Sequence, residues 1–294
     1  MLNYVCNCSC VFCPATGLQP PFKRLDEIRA GIDRAASACS REQIEFSGGE
    51  ILLHPDLPDA VQYAKIKGFR RVHFFTNGIL FSDLRVCKRY TDLGLDSVMV
   101  SIHGATEETH EGLMRAPSGS YRAVWKAIDN LQMLGVGVTV NCVVTGLNIA
   151  EIPQLMEQCA MAYPSINQLR ITYPAVEGEI VTRQELLVPF EEALEVLTPL
   201  SRCPESLNLR FELFPFCVLG SLTNLSVEWL SRHQTSYFEE FCSLRYRRVL
   251  GKECVECPHK TTCHGIQEEY IRRFGAPTCF CKNGDRTGSA RSHI

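Results

Sequence analysis

From its first residues to about position 175 the chain alternates short β-branched or apolar runs with longer stretches of helical period. That alternation constrains the fold more than any other feature. Parallel strands need a crossover between them, a helix is the usual one, and repeated strand–helix units build a parallel α/β sheet. Strands are predicted at 2–5, 43–46, 71–76, 97–102, 137–144 and 168–173, and helices near 25–36, 57–67, 80–93, 121–134 and 149–161. Gly68, Gly94 and Gly135 stand where three of these helices should stop. Six such units are too few for a closed eight-stranded barrel and suit an open, partial (β/α)6 TIM-like one. Past Pro174 the pattern changes to a helix near 188–200, a strand near 207–213 and then seven cysteines from Cys217 onward. The expected division is therefore a barrel over 1–185 and a cysteine-rich C-terminal extension over 186–294.

The chain holds 16 cysteines in 294 residues, yet a chain of this length buries enough apolar surface to fold without cross-links. No basic segment followed by an apolar one opens it, so the expected compartment is the reducing cytoplasm, where thiols stay free. No apolar run approaches the roughly 20 residues that span a bilayer. A formal net charge of −3 gives no electrostatic ground for a nucleic acid or membrane partner. The thiols therefore need a metal or a reaction to explain them.

Active sites of parallel α/β sheets form at the C-terminal ends of the strands. There the first predicted strand meets Cys6, Cys8, Cys10 and Cys13, the second Ser47-Gly48-Gly49-Glu50, the third Thr76-Asn77-Gly78 and the fourth Ser101-Ile102-His103-Gly104. Cys6, Cys10 and Cys13 fit C-x3-C-x2-C. Three thiolates so spaced can serve three irons of a [4Fe–4S] cube and leave the fourth open to a ligand. A zinc site using all four cysteines is the alternative, though zinc knuckles are usually paired at a distance.

The segment from Cys6 to Cys13, with Phe12 at the aromatic position before the last cysteine, resembles the motif of radical S-adenosylmethionine (SAM) enzymes. The resemblance implies that Cys6, Cys10 and Cys13 are metal ligands and that Cys8, lying between them, is not. It implies SAM chelated at the open iron and cleaved reductively to a 5′-deoxyadenosyl radical, with a flavodoxin or ferredoxin as electron donor. Gly48 and Gly49 would give close approach to the methionyl amino group, and Glu50 would shape that loop. Thr76, Asn77, Ser101, Asn141 and Phe12 join the cofactor-binding candidates, as does Arg115, which stands about where many relatives pair an arginine with the SAM carboxylate. Ile51 replaces a proline common in relatives.

Cys254, Cys257 and Cys263 form C-x2-C-x5-C, which resembles the core of the SPASM or twitch auxiliary-cluster extensions that follow many radical SAM domains. The cysteine expected four residues after Cys263 is missing, and Gln267 stands there. The expectation is one auxiliary [4Fe–4S] cluster on Cys254, Cys257 and Cys263, with Cys217 as fourth ligand and Cys242 as its rival. Zinc remains an alternative, since His259 and His264 are near. If Cys242 is not a ligand, its thiol is a candidate hydrogen donor to a substrate radical. Cys279 and Cys281 either cap the cluster or have no role. Cys39, Cys87, Cys142 and Cys159 read as small buried hydrophobes, and Cys203 has no assignable role.

The resulting expectation is a radical SAM enzyme that abstracts hydrogen from a small natural-product or sugar-like substrate, ending in epimerisation or dehydrogenation. Because the sequence opens almost at its first predicted strand, a leader-binding winged helix is not expected, which favours the small molecule. A peptide substrate, with a thioether or C–C cross-link or an epimerised residue as product, is the alternative. A non-enzymatic metal module would have no use for the glycine loop at 47–50.

Overall fold

The computed structural model describes residues 2–15, 22–162, 166–202, 207–231, 248–263 and 265–277. Its main sheet has six parallel strands, β1 (Gln43–Phe46), β2 (Arg71–Thr76), β3 (Ser97–Ser101), β4 (Gly137–Val143), β5 (Ile166–Thr172) and β6 (Asn208–Glu212), in the order β1-β2-β3-β4-β5-β6. Sequential order with parallel neighbours never reverses, so right-handed crossovers stack every helix on one face and the sheet curls with the other inside. The result is a partial barrel, open between β1 and β6.

The crossovers carry α1 (Leu25–Ala38), α2 (Leu57–Ile66), α3 (Leu84–Asp92), α4 (Glu107–Met114), α5 (Ser120–Met133) and α6 (Ile152–Ala162). After β5 come the short α7 (Glu179–Thr182) and α8 (Phe190–Leu197); after β6 come α9 (Phe216–Leu219), α10 (Val227–Ser231) and α11 (Glu268–Phe274). A two-stranded antiparallel ribbon, β7 (Arg248–Val249) and β8 (Ile266–Gln267), closes the cysteine loop between them.

Period two sorts the strands' side chains. Phe74, Val98, Val100, Val140, Leu169, Ile171 and Phe211 are fully buried, and Phe74 meets Tyr90 of α3 edge-on at 5.4 Å. That face packs on the helices. The alternate positions, His73, Ser97, Ser101, Asn141, Arg170, Thr172, Arg210 and Glu212, line the inside and are mostly polar.

The structure corrects three expectations. Residues 2–5 are not a strand of the sheet. They lie extended beside the turn after β1, with Leu2 N–H donating to Ser47 O, Gly49 N–H to Asn3 O and Glu50 N–H to Val5 O, each at 2.8 Å. The sixth strand is β6, past residue 185, so the sheet itself runs into the segment expected to be extension. The helix predicted over 80–93 begins at Leu84, because the Asp83 carboxylate accepts from Arg85 N–H at 2.9 Å and caps it.

The last described segment is fastened to the barrel by buried contacts. Gln267, 6% exposed, accepts from Val176 N–H at 2.7 Å and donates to Pro174 O at 2.9 Å. Tyr270 stacks on Phe190 at 4.0 Å and accepts from Phe190 N–H at 2.9 Å. Where a cysteine was expected, a glutamine satisfies two backbone groups just after β5.

Candidate active site

The cysteine loop is fixed from both sides. Ser9 N–H donates to Met114 O at 3.0 Å and Val11 N–H to Leu113 O at 2.9 Å, so the last turn of α4 holds one flank. Cys13 N–H returns to Cys10 O at 3.0 Å, closing a turn that brings those two thiols to one side. Phe12 is buried edge-on against His103 at 4.6 Å. Cys6 is exposed, Cys10 and Cys13 are half-buried, and Cys8 is buried.

The sulfur electrostatics show how close these thiols lie. A hydrogen bond from Cys8 lowers the pKa of Cys6 and raises that of Cys8. Burial, then the charges of Cys13 and Cys6, push Cys10 up to about 12. Deprotonating Cys10 in place is unfavourable without a compensating cation, which an iron cluster supplies. Among the described residues, no three Cys, His, Asp or Glu side chains are already gathered at metal-ligand distances. The donor chemistry, three soft thiols on a short loop at the strand ends, fits a cluster of the expected kind.

The glycine loop serves a purpose the sequence reading did not anticipate. A Cβ on Gly49 would lie 2.2 Å from Val5 O, and one on Gly48, whose φ is 157°, would lie 2.5 Å from Asn3 O. The missing side chains let the cysteine-bearing segment lie directly against this turn.

Glu50 is wholly buried. Its carboxylate accepts from Thr76 Oγ1 at 2.8 Å, from Asn77 N–H at 2.8 Å and from Leu52 N–H at 3.0 Å. Burial outweighs those donors and raises its pKa to about 7. Asn77 carries the link onward, its Nδ2 donating to Asn7 Oδ1 at 2.6 Å and standing 3.6 Å from Cys8 Sγ and 3.9 Å from Cys6 Sγ. Thr76 and Asn77 thus bind protein, and through it they brace the cysteine loop.

Ser101 ends β3, half-buried and in register with Asn141 on β4. Asn141 Oδ1 is 2.7 Å from Thr172 Oγ1. Arg115, expected on the SAM carboxylate, is instead joined through both terminal nitrogens to Glu179 of α7, with Nη1 to Oε2 at 2.7 Å. The cause is local: α4 stops at Met114 and Arg115 turns left-handed, at φ 45°, which carries its side chain towards α7.

Sequence reasoning missed a buried polar core beside the loop. His110 Nδ1 accepts from His103 N–H at 3.2 Å, His103 Nδ1 accepts from Val143 N–H at 3.0 Å, and Asn148 donates to His103 O at 2.7 Å. Burial holds both imidazoles neutral. It also missed Arg170 and Glu212, paired at 3.2 Å on the inner wall. The available signal was the strict polar–apolar alternation of residues 168–172 and 208–212.

In the C-terminal extension Cys254, Cys257 and Cys263 are half-buried on one compact loop, with Cys257 N–H donating to Cys254 O at 3.2 Å and Cys263 N–H to His259 O at 2.7 Å. A small cavity lined by Phe214, Phe216, Glu228, Arg248 and Cys263 puts this loop against α9, which carries buried Cys217. His259 meets Trp229 at 5.4 Å and Phe216 at 5.8 Å, its ring committed to packing. Cys203, Cys242, His264, Cys279 and Cys281 lie outside the described residues.

Comparison with known proteins places these features. Residues 2–159 match the Radical SAM superfamily. The chain is 34% identical over 155 residues to Fe-coproporphyrin III synthase of Methanosarcina barkeri, covering 52% of this chain and 38% of that protein. It is 34% identical over 157 residues to a probable GTP 3′,8-cyclase of Methanothermobacter marburgensis, covering 52% of this chain and 50% of that protein. The chain therefore spans half or less of the length of these relatives. In fold it is similar to Streptococcus suis SuiB bound to S-adenosylmethionine, with a TM-score of 0.63 at 13% identity over 92% of this chain and 72% of that one. It is likewise similar to anSMEcpe with bound AdoMet and peptide, with a TM-score of 0.56 at 16% identity over 68% of this chain and 57% of that one.

Proposed function

Because the chain belongs to the radical SAM superfamily, whose enzymes use a [4Fe–4S] cluster and SAM, we propose that it is a hydrogen-abstracting enzyme acting on a small molecule inside the half-barrel. Cys6, Cys10 and Cys13 would hold the cluster, and Ser101 and Asn141 would meet SAM at the strand ends. A cluster held there would supply the electron for reductive cleavage of SAM to methionine and a 5′-deoxyadenosyl radical, the species that would take hydrogen from the substrate. The observation that carries this reading is the loop geometry: three thiols held at the C-terminal ends of the strands by α4, the glycine turn and Asn77. The chain's own contribution is placement. Glu50 ties the turn after β1 to the end of β2, and Phe12 wedges the loop against His103, so the thiols are presented on a rigid rim.

A second cluster on Cys217, Cys254, Cys257 and Cys263 is part of the proposal, supported by the packing of α9 against their loop. Gln267, occupied on the barrel backbone, fits one auxiliary cluster better than two. The outcome would be dehydrogenation if that cluster accepts an electron, or epimerisation if a thiol such as Cys242 returns a hydrogen. Anaerobic reconstitution should load about eight irons per chain. About four would remove the auxiliary cluster, and zinc alone would overturn the whole reading. Cys10→Ala should abolish 5′-deoxyadenosine formation, and persistence of that product would reject the ligand assignment.

A further inference from the structure

The inner wall of the half-barrel carries more positive charge than its own pairing uses. Arg170 on β5 stands in register with Arg210 on β6. Arg170 Nη1 sits 3.2 Å from Glu212 Oε1, so one cation answers one anion, yet its Nε is buried with no partner among the described residues. Its charge reaches His73 on the opposite side of the wall, where it adds to burial in lowering that imidazole to about 4. Alternation with buried Leu169 and Ile171 turns the guanidinium to the interior. Arg210 shares this face by alternation, donates to Leu209 O at 2.8 Å and forms no ion pair among the described residues.

A part-buried cation without a counterion is costly unless an anion visits it. The neighbouring acids do not fill that role. Glu212 is engaged by Arg170, and Glu228, which accepts from Leu213 N–H at 2.6 Å and from Ser226 Oγ at 2.8 Å, keeps its charge near Glu212 and forms no ion pair with Arg210. Thr172 Oγ1 lies 2.7 Å from Asn141 Oδ1 and 3.0 Å from Glu212 Oε2, and its single proton serves one of them at a time.

We propose that this wall is an oxyanion site in which Arg170 and Arg210 hold a phosphoryl or carboxylate group of the substrate. The forked guanidinium geometry suits either group. The inference rests on the half-barrel interior being the substrate chamber, as proposed above.

Calorimetric titration of the reconstituted full chain with inorganic pyrophosphate and, separately, with succinate tests it. One-to-one binding of at least one probe is expected, the tighter one naming the group. Arg210→Gln should weaken that binding at least tenfold, Arg210→Lys only about two- to fivefold, and Arg122→Gln on the outer surface not at all. Absence of binding by both probes, unchanged affinity in Arg210→Gln, or an equal loss in Arg122→Gln would overturn the site. Iron content and substrate-free 5′-deoxyadenosine formation, measured on the same samples, report on the proposed function separately. Arg210 lies on the sheet edge opposite the glycine turn that holds the cysteine loop.

Discussion

The Glu50 carboxylate accepts the backbone N–H of Asn77 at 2.8 Å, joining the turn after β1 to the end of β2 across 27 positions of sequence. Asn77 in turn reaches the cysteine loop through Asn7 at 2.6 Å. Asn77→Ala removes the side-chain tie from Asn77 to the loop while leaving its backbone bond to Glu50. The expected result is faster amide exchange over residues 6–13 of the metal-free protein, with a global stability loss of about 1 kcal/mol. Unchanged exchange there would mean that α4 and the glycine turn hold the loop without Asn77.

Glu50 itself should leave a mark on the pH dependence of stability. The folded carboxyl keeps its proton up to about pH 7, against an ordinary value of 4.5, because it is buried. Between those values unfolding releases a proton, so its contribution falls as pH rises through the window. Buried His73 and His110, each lowered from 6.5 to about 4, act in the opposite sense, since unfolding takes up protons over that range. Wild type should therefore gain stability from pH 4.5 towards 6.5 less steeply than Glu50→Gln. The stability of wild type relative to that variant should fall by about 3 kcal/mol between pH 4.5 and 7, as read from urea unfolding. A constant difference would show that Glu50 is not titrating there.

Much of the barrel was legible because it depends on local periodicity. Phe74, Val98 and Ile171 alternate with His73, Ser97 and Arg170, and that rhythm both makes strands and sorts their faces. What was not legible depends on distant partners. Nothing near Gly49 announces that its missing Cβ makes room for Val5, and nothing near Thr76 announces Glu50. Residues 2–5 have strand composition, yet their hydrogen bonds go to a turn. Arg115 has the chemistry of a carboxylate ligand, and only the fold places Glu179 beside it.

The glycine turn gives a sharper test of what those glycines do. Gly49→Ala would put a methyl 2.2 Å from Val5 O, which only displacement of the cysteine-bearing segment can relieve. A loss of about 2–3 kcal/mol is expected in thermal melts of protein free of both metal and SAM. Gly112→Ala is the control, since a Cβ there meets nothing within 4 Å, and it should be neutral or gain about 0.5–1 kcal/mol within α4. If Gly49→Ala is harmless until SAM is added, the glycine serves the cofactor and not the packing.

Gln267 can be tested by two substitutions with opposite logic. Gln267→Ala leaves Val176 N–H and Pro174 O unpaired in a buried place, so a loss of about 1–3 kcal/mol is expected. Gln267→Cys restores the thiol of the fuller SPASM pattern but not those two bonds. It should cost a similar amount and leave the iron content unchanged, because the position faces the barrel backbone. Additional iron in that variant would show that the loop can reach a second auxiliary cluster.

Arg115 and Glu179 make the last case. If the guanidinium serves only Glu179, removing Arg115 as well should add nothing to removing Glu179, which also pairs with Arg183. The side chains are 44% and 24% exposed, so the pair is screened, and Arg115→Met, Glu179→Gln and the double variant should each lie within about 1 kcal/mol of wild type. SAM affinity of the reconstituted enzyme, by equilibrium binding, decides between the two roles. A residue paired with the SAM carboxylate would lose about tenfold or more on Arg115→Met, because a bidentate charge-assisted contact goes with it. A residue spent on Glu179 would change the affinity less than twofold. The structure predicts the second outcome, since both terminal nitrogens of Arg115 are already on Glu179, and Arg183 approaches the same carboxylate at 3.1 Å.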